Sequence, residues 1–445
     1  MLTFIKNGYV IDPASNIEGF YDVLIDGVLI SKVEEKLSEE ALLQLAKDLK
    51  TQLKVIDASN QYVMPGFIDL HVHLREPGFE YKETIATGAM AAAAGGYTSI
   101  CPMPNTKPVT DSAEMVKLIL EKATREAVVN ILPVGAVTLG QIGSELVDIK
   151  ALKTAGAVAL SEDGKSVMDT ALYMEVMRQA AHYQVPIFAH CEDKQLVGRG
   201  VINAGKKATQ LGLSGISNAV EDIITARDIL MAKESGAQLH LCHISTRDSA
   251  GMLALAKQAG LPVTGEVCPH HFTLSEDDIT SDDADYKMNP PLRKPEDVEA
   301  LKQALKNGVI DVISTDHAPH SAEEKAKSMS EAPFGIVGSE TAFALVMTEL
   351  VEKGYLTPVQ MVEKMSVNPA KVLGIDRGCI GVGKVADLVI ADPKEEYTID
   401  KNSFYSKGKN TPFHGYKVKG RVISTFVAGR RVYNIAELPL RNAKR

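Results

Sequence analysis

Cysteine is scarce in this 445-residue chain, and none of its five cysteines forms a C-x-x-C pair with another. This spacing argues against a disulfide framework and favours reduced thiols in a cytoplasmic protein. No apolar run approaches the ~18 residues that a membrane-spanning helix needs. The N-terminal stretch MLTFIKNGYVIDP lacks the long apolar core of a signal peptide, so we expect a strand and a turn there.

Positive charge is also in deficit: 48 Lys and Arg stand against 57 Asp and Glu, which gives a net charge of −9. This balance argues against nucleic acid or an anionic membrane as the main partner. Hydrophobic residues at 45% and charged residues at 24% are typical of a globular protein. The length is sufficient for at least one large domain.

Short β-rich runs alternate with helical stretches through the middle of the chain, which indicates a parallel sheet. Eight such β/α units in about 290 residues fit a (β/α)8 TIM-like barrel of the α/β class. A doubly wound open sheet is the alternative, but no G-x-G-x-x-G follows the first strand. The predicted strands are 62–74, 97–105, 129–137, 157–163, 185–190, 237–243, 261–268 and 310–316.

The two ends of the chain share a different character, with short strands and turns such as Asn7-Gly8 and Asp26-Gly27. Neither end contains an obvious core of its own. We therefore predict one small β-sandwich domain built from both termini, with residues 1–57 and 373–445 as its two parts. The catalytic barrel is predicted over residues 58–372.

The segment GFIDLHVHLREPG at 66–78 is the strongest local signal for chemistry. Side chains two apart on a strand face the same side, so His71 and His73 are predicted to point together into the barrel mouth. Two imidazoles at that spacing can share one cation. Arg75 continues the same face, where its guanidinium can bind a substrate carboxylate through two hydrogen bonds.

Four more polar residues end predicted strands: Asp163, His190, His243 and Asp316. Catalytic residues of this barrel type cluster at the C-terminal ends of strands. Together with the H-x-H pair they predict a metal site.

Strand alternation also predicts which neighbours stay out of that site. His243 shares a face with Leu241, so His240 and Cys242 are predicted to point outward, toward the helices. The adjacent His270 and His271 face opposite ways, and at most one is expected to enter the barrel.

The chain resembles the amidohydrolase superfamily and, within it, the dihydroorotases of the bacterial class I type. The resemblance extends over essentially the whole chain, because the matching segments occur in family order. They are DLHVHLREPG (69–78), PMPNT (102–106), SEDG (161–164), FAHCED (188–193), LCHIST (241–246), CPHHF (268–272), KMNPPLR (287–293), STDHAPH (314–320) and PFG (333–335).

This resemblance implies one or two zinc ions per subunit, and we expect two. By similarity the first ion takes His71, His73 and Asp316, the second takes His190 and His243, and Asp163 bridges them. Asp316 is also implied as the catalytic proton shuttle.

The same resemblance implies how a substrate is held. Residues implied in substrate binding are His73, Arg75, Asn105, Asn289, His320, Phe334 and Gly335. Arg75, Asn105 and His320 would bind a carboxylate, and Asn289 with the backbone of Phe334 and Gly335 would contact a pyrimidine ring. The segment 321–333 has no apolar periodicity and is a candidate lid.

The implied activity is the reversible interconversion of N-carbamoyl-L-aspartate and dihydroorotate in pyrimidine synthesis. Opening a cyclic amide needs a nucleophile, a polarised carbonyl and a proton for the leaving nitrogen. Zinc-bound hydroxide, zinc as a Lewis acid and the Asp316 carboxylate can supply these. The resemblance also implies a homodimer.

Two alternatives stay open. Hydantoinases and allantoinases typically use a carboxylated lysine as the metal bridge, and Lys165, two residues after Asp163, competes for that role. A non-catalytic relative that associates with aspartate carbamoyltransferase is the other alternative. Such proteins typically lose metal ligands, whereas here every expected ligand is present.

Overall fold

Parallel β-strands form the centre of the computed structural model, which describes residues 1–437. They lie in two series of hydrogen-bonded neighbours. The strands are Phe67–Val72, Tyr97–Pro102 and Asn130–Ile131 in the first series, and Val134–Ala136, Ala159–Ser161, Ile187–Ala189, Leu239–Leu241, Val263–Val267 and Val312–Ile313 in the second.

The two series close into a barrel of eight strand positions. Asn130–Ile131 and Val134–Ala136 are two parts of one strand, separated by Leu132 and Pro133, because a proline cannot donate to the ladder. At the other seam Val72 forms a parallel bridge with His317. The (β/α)8 barrel predicted from the sequence is thereby confirmed.

Helices connect successive strands, and side chains at their N-termini explain where several of them begin. Ser112 and Thr246, for example, each accept a backbone N–H of the first turn. Among residues 1–437, no helix combines the length and the apolarity needed to cross a bilayer. The connecting helices are Ile85–Ala94, Ala113–Glu126, Ile149–Ala155, Thr170–Tyr183, Ala219–Ser235, Arg247–Gln258, Pro295–Lys306 and Ala342–Val346 with its π-helical continuation Met347–Val351.

Several shorter helices lie outside this set of connecting helices. Those in the loops at the carboxyl ends of the strands are Lys194–Val197, Lys206–Leu211, Pro269–Thr273 and Ala322–Lys325. The two strands of a short parallel ribbon, Ile202–Asn203 and Gly215–Ile216, precede and follow the second of these helices. After the barrel come Pro358–Val362, the π-helical turn Glu363–Val367 and Asn368–Leu373.

Both faces of the barrel strands are buried, which explains why they read as continuous apolar runs. One cluster contains Ala159 and Phe188 together with residues of the helix Asn368–Leu373. The other contains the neighbouring Leu160 and Ile187 together with residues of the connecting helices. Adjacent strand residues thus fill the barrel interior and the helix layer in turn.

The two ends of the chain meet in a second, eight-stranded sheet. Its strands are Leu2–Asp12, Ile17–Asp26, Leu29–Glu34, Leu53–Asp57, Tyr62–Pro65, Leu388–Thr398, Lys417–Val427 and Arg430–Asn434, and the helix Glu39–Asp48 lies between the third and the fourth. The end of the predicted C-terminal part, residues 438–445, lies outside the described residues.

The strand Tyr62–Pro65 joins the two halves of this sheet. It pairs with Leu2–Asp12 on one side and with Leu388–Thr398 on the other. The prediction of a single strand over 62–74 is therefore wrong in its first part, because the chain changes sheets at Gly66. At this crossing the backbone lies so close to Thr98 that a Cβ on residue 66 would be 2.2 Å from Thr98 Cγ2.

We expect Gly66→Ala to destabilise the fold by about 1–3 kcal/mol, the usual cost of overpacking a tight contact. Gly251 is a matched control, since it lies inside the helix Arg247–Gln258 and, apart from its chain neighbours and the backbone of its own helix, no atom of residues 1–437 lies within 4 Å of its added Cβ. Gly251→Ala should raise stability by roughly 0.4–1 kcal/mol. Denaturant midpoints of both variants test this, and an unchanged midpoint for Gly66→Ala would contradict it.

Candidate metal centre and active site

A cavity of about 170 Å³ lies at the carboxyl ends of the barrel strands. Its position matches the general location of active sites in this fold. Most of the residues predicted to act on a metal or a substrate line it. The lining residues are His73, Arg75, Asn105, Asp163, Gly164, His190, His243, Asn289, Asp316, Ala318, Phe334 and Gly335.

An irregularity in the first barrel strand turns its two histidines toward this cavity. Asp69 pairs with Ile100 and Val72 pairs with Pro102, so three steps along one strand oppose two on the other. Such a bulge reverses the alternation of the side chains that follow it. His71 and His73 can therefore face the interior although Leu70 also belongs to the interior cluster.

His71 is fully buried and is oriented by a carboxylate below it. Its Nδ1 lies 3.0 Å from Glu266 Oε1, which accepts the ring proton. Its Nε2 is then the free nitrogen, 3.2 Å from Asp163 Oδ1 and 3.6 Å from Asp316 Oδ1. Within residues 1–437 this buried Nε2 makes no hydrogen bond. A buried nitrogen in that state is suited to a metal ion.

His73 is held in the same way by an amide. Its Nδ1 donates to Asn105 Oδ1 at 2.9 Å, and its Nε2 lies 3.1 Å from Asp316 Oδ1. Asn105 Nδ2 in turn donates to Asp163 Oδ2 at 3.1 Å. Both polar ends of Asn105 therefore orient candidate metal ligands in this structure.

His190 and His243 form the opposite side of the cluster. His190 Nδ1 lies 2.9 Å from His243 Nε2. The same two nitrogens lie 3.7 Å and 3.9 Å from Asp163 Oδ1. Two imidazole nitrogens this close to each other and to one carboxylate form a second set of donors.

Asp163 is common to both sets of donors. His71, His73 and Asp163 form one group and Asp163, His190 and His243 form another, with the ligand atoms of each group within 4.8 Å of one another. Burial would raise the pKa of Asp163, but the surrounding imidazoles, His71 foremost, hold it well below its usual value. Buried nitrogen and carboxylate donors of this kind fit one or two zinc ions.

Three candidate site residues have a left-handed backbone, with φ of +60° at Arg75, +33° at His243 and +47° at Asp316. For residues other than glycine such conformations cost about 1–3 kcal/mol each and concentrate at functional sites. Asp69 stabilises the segment before Asp316, since it accepts the backbone N–H of Thr315 at 3.0 Å and its hydroxyl at 2.6 Å.

These conformations interrupt strand alternation, and the outward placement predicted for His240 and Cys242 is wrong. His240 Nε2 lies 3.1 Å from Glu266 Oε2 inside the barrel. Cys242 belongs to the interior cluster and groups with His71 and Glu266. His243 nevertheless reaches the cavity because its own backbone turns at the end of the strand.

The other end of the cavity is positively charged. Arg75 Nε donates to the Pro319 carbonyl at 3.2 Å, and Arg75 Nη2 lies 3.2 Å from His320 Nε2. His320 Nε2 also lies 2.8 Å from the Phe334 carbonyl. Burial lowers the pKa of His320, and the charges of Arg75 and Lys82 lower it further. A neutral imidazole beside a guanidinium is suited to bind an anionic group.

Known proteins resemble this chain both in sequence and in fold. The model of the family described as Dihydro-orotase-like matches residues 60–249. A dihydroorotase of Thermoanaerobacter sp. (strain X514) is 46% identical over 433 residues, which cover 97% of each chain. A dihydroorotase of Anoxybacillus flavithermus is 49% identical over 400 residues, which cover 89% of this chain and 94% of that one.

The chain belongs to the dihydroorotase family. It is accordingly an enzyme, a hydrolase acting on cyclic amides, as predicted from its motifs. Among solved structures, the dihydropyrimidinase from Brevibacillus agri NCHU1002 superposes with a TM-score of 0.83 at 27% identity, covering 98% of this chain and 95% of that chain. The L-hydantoinase from Arthrobacter aurescens gives 0.84 at 26% identity, covering 98% and 97%.

Two carboxylates near the site of this dihydroorotase-family chain were missed from the sequence. Glu266 is fully buried and bonded to His71 and His240, yet in VTGEV it reads as one charge in an apolar strand. The second is Glu192, whose Oε2 accepts from Asn289 Nδ2 at 2.5 Å. A carboxylate within a buried strand was the available signal for Glu266.

The competing bridge residue Lys165 points away from the cluster. Gly164 has a φ of +72°, and the exposed Lys165 donates from Nζ to the Gln141 carbonyl at 2.9 Å.

Several backbone contacts anchor the candidate lid, residues 321–333. Lys325 Nζ donates to the Gly335 carbonyl at 2.9 Å, and Lys287 Nζ donates to the Ala332 carbonyl at 2.6 Å.

We expect Glu266→Gln to lower metal affinity by about 10–100-fold, as loss of an outer partner of a ligating histidine usually does. The amide cannot accept from His71 and His240 at once. Glu349→Gln, which removes a buried carboxylate bonded to Lys302, is the control and should leave metal affinity unchanged. Metal titration with a competing chelator measures both variants, and equal affinities would contradict the role of Glu266.

Proposed function

We propose that this chain is a dihydroorotase that reversibly hydrolyses dihydroorotate to N-carbamoyl-L-aspartate. The observation that carries the proposal is one small cavity with three histidines and two aspartates of the cluster at one end and Arg75, which contacts His320, at the other. A cyclic amide that bears a carboxylate matches both ends. Relatives named dihydroorotase at 44–49% identity support the same substrate.

We propose zinc as the metal, with two ions favoured. His71, His73 and Asp316 would hold one ion, His190 and His243 the other, and Asp163 would bridge them. When bound, such ions supply Lewis acidity, which polarises a carbonyl and makes water more acidic.

Asp316 is proposed as the residue that moves the proton. Burial would raise its pKa, but the neighbouring His71 and His73 lower it below the usual value, so the carboxylate is ionised and can accept a proton. In hydrolysis it takes the proton of the attacking water and delivers it to the ring nitrogen as the carbon–nitrogen bond breaks. In the reverse direction it removes a proton from the attacking nitrogen.

The remaining residues are proposed to bind and orient the substrate. Arg75 and His320 would bind its carboxylate, while Asn289 and the backbone of Phe334 and Gly335 would contact the ring. Asn105 and His73 lie between the two ends, where they can contact the substrate while they hold Asp163 and Asp316.

The pathway, the compartment and the assembly rest on resemblance to the family. We propose a place in pyrimidine synthesis, in the cytoplasm, as a homodimer. Association with aspartate carbamoyltransferase stays open.

A hydantoinase is the second candidate, because hydantoinase structures share the fold. Simple hydantoins lack the carboxylate that Arg75 is placed to bind. Side-by-side assays with dihydroorotate, hydantoin and allantoin, with zinc content measured on the same sample, separate these activities. A preference for hydantoin would reject the proposed function, and absence of all three activities would favour a non-catalytic relative.

Asp316→Asn should lower kcat by at least about 10²–10⁴-fold, the usual effect of losing a general acid–base group. The amide keeps the shape but cannot take up the proton. Asp311→Asn is the control, since Asp311 precedes the same strand and pairs with Lys257. Steady-state assays of both variants test the assignment, and turnover of Asp316→Asn within a few-fold of wild type would exclude it.

Arg75→Lys should also be costly although it keeps the charge, because lysine lacks the planar fork that matches a carboxylate. We expect kcat/KM for dihydroorotate to fall by the equivalent of about 1.5–3 kcal/mol, the range for hydrogen bonds to charged groups. Kinetic measurements of the variant at several substrate concentrations test this prediction. An unchanged kcat/KM would place the carboxylate elsewhere.

The bridge assignment predicts that metal reconstitution is equally effective with and without bicarbonate. Asp163 needs no modification, whereas a lysine must first react with carbon dioxide. Asp163→Ala should lose metal and activity, and Lys165→Ala should keep its metal. Metal analysis after dialysis measures how much metal each variant retains. Bicarbonate-dependent reactivation, or metal loss in Lys165→Ala alone, would reverse the assignment.

A further inference from the structure

Three side chains form a chain of contacts behind the positively charged end of the cavity. Lys82 Nζ lies 2.9 Å from Glu324 Oε1 and 3.2 Å from His320 Nδ1. Both charged side chains are largely shielded from solvent, with 12% of Lys82 and 24% of Glu324 exposed. Lys82 therefore stands between a carboxylate and the imidazole that contacts Arg75.

These contacts determine which ring nitrogen of His320 carries the proton. An ammonium group has donors only, so His320 Nδ1 must accept from Lys82. The proton of the neutral ring is then on Nε2. Independently, Nε2 lies 2.8 Å from the Phe334 carbonyl, which can only accept. Both contacts require the same tautomer, and of the contacts described only that of Arg75 Nη2 with Nε2, at 3.2 Å, would require the other one.

Glu324 competes with Lys82 for His320 Nδ1. Its Oε2 lies 3.5 Å from His320 Nδ1. A carboxylate facing Nδ1 without Lys82 between them would attract the proton to Nδ1. Nε2 would then become an acceptor that faces the Phe334 carbonyl and can accept a hydrogen bond from the Arg75 guanidinium. Glu324 also accepts from the Tyr81 hydroxyl at 3.1 Å, which keeps the carboxylate in place.

The proton on Nε2 matters because it prevents the ring from accepting a hydrogen bond from Arg75. Arg75 Nη2 lies 3.2 Å from His320 Nε2, while Arg75 Nε is bound to the Pro319 carbonyl. With its single hydrogen directed to the Phe334 carbonyl, Nε2 cannot accept from Arg75, so the N–H groups of Nη2 remain available to a carboxylate of a ligand. If Nε2 accepted instead, it would bind the guanidinium itself and compete with the ligand.

We propose that Lys82 is a positioning residue that fixes the Nε2–H tautomer of His320 and thereby selects cyclic amides that carry a carboxylate. Lys82 acts through His320 and does not itself touch the substrate. The selection part rests on the proposed function, whereas the tautomer part is independent of it.

Nitrogen NMR of protein labelled in its histidines tests the tautomer directly, with His320 assigned by the spectrum of His320→Asn. The wild type should show a protonated Nε2. Lys82→Met should move the proton to Nδ1 or give a doubly protonated ring. Lys82→Arg, which still donates, should keep the wild-type signals. A protonated Nδ1 in the wild type would overturn the proposal even if Lys82→Met fails to fold.

A double variant separates the role of the tautomer from a merely structural one. In Lys82→Met/Glu324→Gln the competing charge is gone and the amide can donate to Nδ1, so the Nε2–H signals should return. Lys419→Met is the matched control, because Lys419 pairs with Glu352 at 2.7 Å on the surface. It should change neither the spectrum nor the kinetics. Absence of recovery in the double variant would contradict the competition between Lys82 and Glu324.

Kinetics then test selection. Lys82→Met should raise KM for dihydroorotate by roughly 10–100-fold, the effect of one lost charge-assisted hydrogen bond, with a much smaller change in kcat. The inhibition constant of dihydrouracil, the same ring without the carboxylate, should stay unchanged. If wild-type protein does not turn over dihydroorotate, the proposed function fails, and the NMR result still decides the tautomer. An unchanged KM in Lys82→Met alongside normal wild-type turnover would overturn the selection role.

Discussion

The packing of four imidazoles around one buried carboxylate is the constraint on which the rest of the site depends. Asp163 lies 3.2–3.9 Å from His71, His73, His190 and His243. These rings can be buried together around Asp163 only if each ring directs one particular nitrogen toward its carboxylate. An outer acceptor such as Glu266, or the amide of Asn105, makes that choice by binding the other nitrogen. The donors of the cluster are therefore fixed by residues that lie outside it.

Charge separation along the cavity follows from the same arrangement. The carboxylates Asp163 and Asp316 lie with the histidine cluster at one end of the cavity, and Arg75 lies at the other, with Lys82 behind it on His320. Both ends belong to a single small cavity, so one molecule can contact both of them at the same time. A substrate with a reactive amide at one side and an anionic group at the other is complementary to this field.

The sequence predicts the frame of this molecule well, because burial on both strand faces and polar residues at strand ends leave strong patterns. It predicts the backbone turns poorly. The bulge after Asp69 and the left-handed conformations at His243 and Asp316 shift side chains between faces, and tertiary contacts rather than local propensity fix them. The same reason explains the errors at His240 and Cys242. Glu266 was missed because one charge in an apolar strand has no spacing partner.

Failure of strand alternation at the site has a physical cause that also bears on specificity. The barrel is shared with hydantoinases at 26–27% identity, so the fold does not by itself define the substrate. Regular strand positions are needed for packing and are shared across such a fold. Residues such as Arg75, whose φ is +60°, leave the regular path just beyond a strand, and there a side chain can be redirected without disturbing the core. The guanidinium that we propose to bind a carboxylate is thus carried by backbone that the barrel holds at its rim, beside the loop that supplies Lys82.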